Sequence, residues 1–365
     1  MSKIAIVGDF HLGIAPNNSL KFEVLFESQK RFFTETLIPV LTERGIDTII
    51  FTGDLYDQRR RIDSKIAQFV EGLFQNELKN FKCIVLQGNH DTYYKDDLTI
   101  TSLSNIWSKP NVTAITKITP MEIKGVKFLL VPWLTSTMSQ SFEENVNKVS
   151  GKFKYVVGHF ETVGFPFEAG SICTNGMNPD ILFNNFENTI SGHFHTQSYR
   201  ELNGHSIHYV GTPFQLTFAD ATEKKGFHIL DVVTNEREFI ENTSSSRFVK
   251  LKSRSDIEKY PTLQNCFVEL EYIDGTTEDE LYIIEKEVLS KNPVSYKAYL
   301  KVIDSVDEIN SDKTPEEVKI FEDMSVAIYS ENMVSMTRVF LEANPYDDEE
   351  MVLEVIEEIR ASISG

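Results

Sequence analysis

The chain of 365 residues is long enough for two domains with a sizeable core, and its 41% hydrophobic and 25% charged residues are the composition of a globular protein. No apolar run approaches the length of a bilayer span and the opening MSKIAIVGDF lacks the sections of a signal peptide, so the expectation is a cytoplasmic protein with no membrane contact. The net charge of −19 weighs against a nucleic-acid partner only as an average: residues 1–254 carry 27 Lys and Arg against 28 Asp and Glu, residues 255–365 carry 9 against 27, and the near-neutral first part leaves room for a locally basic site.

In chain order, one arrangement recurs: a short run rich in Ile, Val and Phe ends in Gly, Asp, Asn or His. It begins with KIAIVGDFH (Lys3 to His11), followed by a helical stretch from Phe22 to Arg44. TIIFTGDLYD (Thr48 to Asp57) precedes a second helical stretch, Ser64 to Lys79, and then come CIVLQGNHD (Cys83 to Asp91), VKFLLVPW, YVVGHFE (Tyr155 to Glu161) and TISGHFH (Thr189 to His195). Continuous apolar runs suit strands covered on both faces, and the helical stretches are long enough for crossovers. After HYVGTPFQLTF, the run GFHILDVV is expected at a sheet edge or in a second sheet, and NTSSSR (Asn242 to Arg247) as a linker. CFVELEYI (Cys266 to Ile273), a helix opened by Thr277 and Glu280, and SYKAYLKVI (Ser295 to Ile303) read as a small β-α-β module. A polar segment, DSVDEINSDK, leads to a helix starting at Thr314-Pro315-Glu316-Glu317 and a last helix over Asp347 to Ile363, with Val352, Val355, Ile356, Ile359 and Ile363 on one face. The implied fold class is α/β, layered, with its polar clusters at the carboxyl ends of strands, where open α/β sheets hold ligands. Cys83, Cys173 and Cys266 are far apart, without metal-binding spacing, and are expected reduced and buried.

Singly, the clusters say little. An Asp-x-His is more commonly a turn beside a satisfied histidine, and Gly-Asp is commonplace in turns. Together, Asp9, His11, Asp54, Asn89, His90, His159, His193 and His195 end separate strands and converge on one rim. Eight polar side chains gathered without a partner would be a costly burial. Carboxylates, neutral imidazoles and an amide oxygen suit a divalent ion of intermediate hardness such as Mn²⁺ or Fe²⁺, and the lack of thiolates disfavours structural zinc. The donors exceed what one ion needs. Two ions about 3.5 to 4 Å apart would activate a water and stabilise a phosphoryl displacement. Arg59, Arg60 and Arg61, just after the Asp54 cluster, could grip phosphates, against the plainer reading of a solvated charge run. Arg247, Lys250, Lys252 and Arg254 form a weaker basic set, His205, His208 and His228 read as structural, and Trp133, Phe214 and Phe218 as core or site wall.

The order Asp-x-His, Gly-Asp, Gly-Asn-His-Asp, Gly-His, Gly-His-x-His resembles that of the calcineurin-like metallophosphoesterases. The words GDFHLG, VPW, GHFE, SGHFHT and GTPFQLT make the chain similar, more narrowly, to the nuclease subunit of the SbcD and meiotic-recombination family that processes DNA double-strand breaks, most of all in its compact tailed-phage form. The likeness runs from Met1 to about Val249 and is looser beyond. It implies a layered αββα sandwich over residues 1–245, a capping, DNA-binding β-α-β module over 246–304, and a linker with C-terminal helices for an ATPase partner over 305–365. It implies that Asp9, His11 and His195 hold one metal and Asn89, His159 and His193 the other, with Asp54 bridging, so that His193 and His195 straddle two ions with Phe194 as the packing anchor between them. His90 would be the general acid and Asp91 the group that orients it. The chain has Asp57 where some members carry a second catalytic histidine, which implies a one-histidine proton transfer. The resemblance further implies two divalent ions, Mn²⁺ foremost with Mg²⁺ or Fe²⁺ as alternatives, 3′-to-5′ exonuclease action on duplex DNA with endonuclease action on single strands, in recombination, replication and repair. It implies an SbcC-like coiled-coil ABC ATPase as partner, met by the apolar stripe of the last helix, a homodimer within a heterotetramer, and the host cytoplasm for a phage-encoded chain. The competing readings are a phosphatase or cyclic-nucleotide phosphodiesterase on the same scaffold and a non-catalytic DNA-end scaffold.

Overall fold

A computed structural model describes residues 2–168, 170–273 and 277–301, and the chain divides after Ser246 into two units. The strands of the first unit are, in order, β1 (Lys3–Val7), β2 (Thr48–Phe51), β3 (Lys82–Leu86), the hairpin β4 (Thr92–Tyr94) and β5 (Asp97–Thr101), β6 (Val112–Ile115), β7 (Thr119–Ile123), β8 (Val126–Val131), β9 (Tyr155–Gly158), the hairpin β10 (Pro166–Glu168) and β11 (Ser171–Ile172), β12 (Asn188–Ser191), β13 (Ser198–Leu202), β14 (His205–Tyr209), β15 (Gly226–Asp231) and β16 (Arg237–Glu241). They build two six-stranded sheets, β16-β15-β1-β2-β3-β6 and β13-β14-β12-β9-β8-β7.

The apolar runs explain why the sheets stack. Successive side chains of a strand point to opposite faces. From β1, Ile4 and Ile6 meet Ile50, Ile84, Leu130, Val157 and Ile190 in a core between the sheets. Ala5 and Val7 point the other way, with Ile49, Phe51 and Val85, into a core shared with the helices α1 (Ser19–Arg31), α2 (Ile38–Glu43) and α3 (Ser64–Gly72). The outer face of the second sheet, with Leu129, Val131 and Val156, packs on Phe142 of α4 (Ser136–Asn145) and on Leu182 of α5 (Asp180–Phe183). The result is the layered αββα sandwich expected from the motifs. A π-helical turn, Phe32–Leu37, joins α1 to α2 within the first expected helix. Asn18 and Asp63 cap α1 and α3 by accepting from Lys21 N (2.9 Å) and Lys65 N (2.7 Å), satisfying donors a helix start leaves free.

Two expectations change. GFHILDVV is neither an edge nor a second-sheet strand: β15 lies in the first sheet between β1 and β16, antiparallel to both, and its Phe227 and Ile229 are buried under the helices. NTSSSR is not a free linker. Asn242 Nδ2 donates to Pro213 O (2.9 Å), Ser245 Oγ to Ser28 O (3.2 Å) and Ser246 N to Ser28 Oγ (2.6 Å), and Arg247 already begins a strand.

The second unit starts with β17 (Arg247–Leu251), which pairs in parallel with β18 (Cys266–Ile273), itself parallel to β19 (Ser295–Lys301). The β-α-β module thus has a third strand. Its helices are α6 (Arg254–Glu258) and α7 (Glu278–Ser290), and Val249, Ile257, Leu270 and Val288 form its core. Thr277 and Glu280 make the reciprocal cap at the start of α7. Lys252 and Arg254 face Glu271 (3.9 Å) and Glu287 (3.1 Å), so half of the weak basic set is paired with acids. The expected polar segment 304–313 and the helices from Thr314 and from Asp347 lie outside the described residues. All three cysteines are free and buried, and no described helix is long and apolar enough to cross a membrane.

Candidate metal centre

In the first sheet β1, β2 and β3 are mutually parallel, and in the second β9 and β12 are. Their carboxyl ends therefore deliver Asp9 and His11, Asp54, Asn89 and His90, His159, and His193 and His195 to one rim. Three of these eight residues leave the strand through unusual backbone. His11 (φ 47°), Asp54 (φ 48°) and His193 (φ 83°) are left-handed, a conformation that costs about 1 to 3 kcal/mol in a residue with a Cβ. Hydrogen bonds from Phe10 N and His11 N to Asp54 O, both 3.0 Å, lock two of these turns together. Phe10 anchors the turn from below, fully buried and 4.9 Å from the Phe33 ring. Phe194 does the same between the last two histidines, stacked 4.5 Å from Tyr209. Glycine is required where the loops touch: a Cβ on Gly88 would lie 2.1 Å from Asp54 Oδ1, and one on Gly192 2.4 Å from Asp9 Oδ1.

The polar atoms meet as two groups that share Asp54. His11 Nε2 is 3.0 Å from His195 Nε2 and 3.7 Å from Asp54 Oδ2, and Asp9, His11 and Asp54 offer donor atoms within 4.8 Å of one another. Asp9 Oδ2 accepts from His193 N (2.7 Å). On the other side, His159 Nε2 is 3.3 Å from Asp54 Oδ2 and 2.9 Å from Asn89 Oδ1, and His193 Nδ1 is 2.9 Å from the same amide oxygen. Partners at the far ring nitrogens set which atom faces inward. His159 Nδ1 lies 2.9 Å from Thr52 O, and His11 Nδ1 lies 3.3 Å from Asp57 Oδ1, so each turns Nε2 to the centre.

The Asn89 amide has two useful orientations. With nitrogen inward it faces Asp54 Oδ2 (3.2 Å), His193 Nδ1 and His159 Nε2 (both 2.9 Å), more positions than its two N–H groups can serve, while its oxygen accepts from Arg59 Nη2 (2.8 Å). With oxygen inward it joins imidazole nitrogens and a carboxylate in a set of lone pairs that a cation would satisfy. The donor chemistry, two carboxylates, four imidazoles and one amide oxygen, all buried or half-buried, fits divalent ions.

Protons balance this charge in the protein alone. Burial opposes the charged form of His159, but the carboxylates of Asp54 and Asp9 outweigh it and hold the imidazole up at about 9. Burial likewise works against the Asp54 anion, yet His159 and His11 keep that carboxyl well below the usual range. Burial pushes Asp9 up to about 7 against the pull of His159. His195, buried beside His11, is pushed down to about 3. Protons and cations compete for these same lone pairs.

His90 stands at the mouth of the centre, in the same cavity as His11, Asp54, Asn89, His193 and His195. Its Nδ1 is 2.6 Å from Asp57 O, which points Nε2 into the cleft. Asp91 does not orient this imidazole, as the motif had implied. Its carboxylate is turned under the loop, accepting from Gly88 N (2.9 Å), Leu55 N (3.1 Å) and Tyr56 N (3.2 Å), and so ties the Asn89 loop to the Asp54 loop. Of the three arginines only Arg59 reaches the centre. Arg60 lies over the Tyr93 ring (5.5 Å), and Arg61 lines a separate cavity with Leu12, Phe22 and Tyr56. Sequence reasoning missed the supporting residues. Asp57 holds both His11 and His90, Glu161 Oε1 faces His193 Nε2 at 3.9 Å, and Thr52 supplies a main-chain carbonyl, which no side-chain motif can signal. Trp133 is site wall, its ring 5.2 Å from that of His193.

A two-sheet sandwich that gathers carboxylates, imidazoles and an amide at the strand ends round an open cleft defines a metal-dependent phosphoester hydrolase. Residues 2–197 match the family described as calcineurin-like phosphoesterase, and the chain belongs to that family. It is 30% identical over 245 residues to exonuclease subunit 1 of Enterobacteria phage T4, covering 67% of this chain and 68% of that one. It is 25% identical over 325 residues to the SbcD component of the SbcCD nuclease of Staphylococcus epidermidis (80% and 77%), and 26% identical over 247 residues to a putative phosphoesterase, 078R, of Invertebrate iridescent virus 3 (64% of each). Nuclease subunits within this family are the proteins that the sequence motifs had pointed to.

Proposed function

We propose that the chain is a DNA nuclease that hydrolyses phosphodiesters with two divalent ions, Mn²⁺ foremost. Asp9, His11 and His195 would hold one ion, Asn89, His159 and His193 the other, and Asp54 both. The observation that carries this reading is the pairing of two donor groups round one shared carboxylate, with a histidine held at the cleft mouth by its Nδ1. Bound ions would supply the charge that activates a water and offsets the phosphoryl oxygens. His90 presents Nε2 to the leaving sugar oxygen as proton donor. Burial lowers its pKa ahead of the opposing pull of Asp54, and an anionic phosphodiester beside it reverses that shift. Arg59, beside Asn89, is placed to meet a phosphate oxygen. Asp91 acts by bracing the loops rather than on the proton.

A nuclease, rather than a phosphatase, is favoured by the relatives' descriptions as exonuclease and nuclease subunits. Those descriptions as subunits also support action with a second subunit. That this is an SbcC-like ABC ATPase, and that the pair acts in DNA end processing on duplex ends from the 3′ side and on single strands as an assembly of two copies of each chain, is carried by the sequence resemblance. The test is degradation of a linear duplex with Mn²⁺, alongside p-nitrophenyl phosphate, for the wild type and His90→Ala. Duplex degradation that falls about 100-fold or more in the variant, within the range of general acid catalysis, is the expected result. Release of p-nitrophenol without duplex degradation would assign a phosphatase. Neither activity, with the ATPase present, would refute both.

A further inference from the structure

The segment Gly211–Lys225 contributes no donor to the centre, yet one of its side chains is a buried ammonium. Lys225 is 5% exposed. An ammonium has three N–H donors and no acceptor, and burying it is unfavourable unless each finds a partner. Here each does: Nζ donates to Asp220 Oδ1 (2.6 Å), Glu223 Oε2 (2.7 Å) and the main-chain oxygen of His195 (2.8 Å).

The same cluster grips the chain again one residue further on. Glu223 Oε1 accepts from Thr196 Oγ1 (2.7 Å), while Asp220 Oδ2 accepts from Leu216 N (2.9 Å) and Thr217 N (3.0 Å). Gln215 Nε2 donates to the carbonyls of Asp220 (2.9 Å) and Glu223 (3.2 Å), closing the segment on itself. Thr212 N donates to His195 O (3.2 Å), and a Cβ on Gly211 would lie 2.9 Å from that oxygen. His195 needs such support because β12 ends at Ser191 and His193 turns left-handed, so the chain at His195 has left its ladder. His159, which follows β9 directly, donates its N–H to Val131 O (3.2 Å) of the neighbouring strand in its own sheet, whereas the His195 N–H donates to Phe167 O (3.1 Å) of the separate β10 hairpin.

We propose that Lys225, clamped by Asp220 and Glu223, is a positioning residue for His195 and sets the affinity of the metal position His195 shares with Asp9 and His11, independently of the position made by Asn89, His159 and His193. The inference rests on the reading of His195 as a metal-holding residue. The cluster also carries two carboxylates against one ammonium, and the surplus negative charge beside His195 favours a cation there.

The test uses the full chain stripped with EDTA and titrated with MnCl₂, free Mn²⁺ being read by its electron paramagnetic resonance signal, with metal-free folding checked by circular dichroism. The wild type takes up two ions and His195→Ala one. Lys225→Met retains one ion at wild-type affinity and binds the other at least 10-fold more weakly. Thr196→Val, which leaves the buried charges paired, weakens the same ion about 3-fold and decides the matter if Lys225→Met fails to fold. Two unchanged affinities in both variants, or both ions weakened equally, would overturn the positioning role while leaving the metal reading intact. A His195→Ala variant that still binds two ions would remove the metal reading itself.

Discussion

Asp57 does two separate jobs with two different groups, and a substitution can separate them. Its carboxylate, with the side chain 14% exposed, faces His11 Nδ1 at 3.3 Å, while its main-chain oxygen receives His90 Nδ1 at 2.6 Å. Asp57→Asn keeps an oxygen for the His11 bond and leaves the backbone bond to His90 untouched, but removes the charge that makes His11 a stronger donor. Carboxylates behind ligating histidines are worth about 10- to 100-fold in metal affinity, or about 1.4 to 2.7 kcal/mol. The asparagine variant belongs near the lower figure and Asp57→Ala, which also loses the bond, near the upper. Mn²⁺ titration of the stripped protein measures this directly. Nuclease activity at saturating Mn²⁺ should stay within about 3-fold of wild type in the asparagine variant, because His90 is held by an atom the substitution does not change. Wild-type Mn²⁺ affinity in Asp57→Ala would show that the contact does not hold His11. A collapse of activity in Asp57→Asn at saturating metal would show instead that the carboxylate serves the proton transfer.

Gly192→Ala pushes a methyl to 2.4 Å from Asp9 Oδ1 and 2.5 Å from Thr52 Oγ1, both buried, so the loop must shift at a cost of about 1 to 3 kcal/mol. Thermal unfolding of the metal-free protein and Mn²⁺ titration should both register it, and an unchanged melting temperature would contradict the packing. Burial holds His228 down at about 4, and Gln197 Nε2 sits 3.0 Å from its Nε2, a bond the neutral ring can accept and the protonated ring cannot. The folded state thus resists a proton that the unfolded chain takes near pH 6.5, so stability is full above that pH and declines toward pH 4. Between pH 7 and 5 the loss from this group is about 2 kcal/mol, and urea unfolding should show a shallower decline in His228→Gln. Equal slopes would place the pH dependence elsewhere.

Much of the centre was legible because its signal is local. A strand of β-branched residues stops, a glycine and a polar residue follow, and the same pattern at five places implies parallel strands whose ends share a rim. The run Ile4 to Val7 likewise shows a strand covered on both faces, with Ile4 and Ile6 opposite Ala5 and Val7, but it took the fold to show that the first pair meets a sheet and the second helices. GFHILDVV shows the limit of such reading. Its composition fits an edge, an interior or a second sheet equally, and only pairing with β1 on one side and β16 on the other places it.

The roles of Asp57, Asp91 and Lys225 lay beyond the sequence for a different reason. Asp91 adjoins His90 in the chain but points its carboxylate to amides thirty-five and thirty-six residues away, whereas the group that holds His90 is a carbonyl thirty-three residues back. Lys225 reads as one of two surface lysines in EKKG until the fold buries it against the carbonyl of His195, thirty residues earlier. By itself the sequence determined which side chains could bind a metal and at which strand ends they stand, because residue type and strand period are properties of short stretches. Only the tertiary structure decided which groups orient them, because main-chain oxygens are identical at every position and become specific partners only where the folded chain brings them.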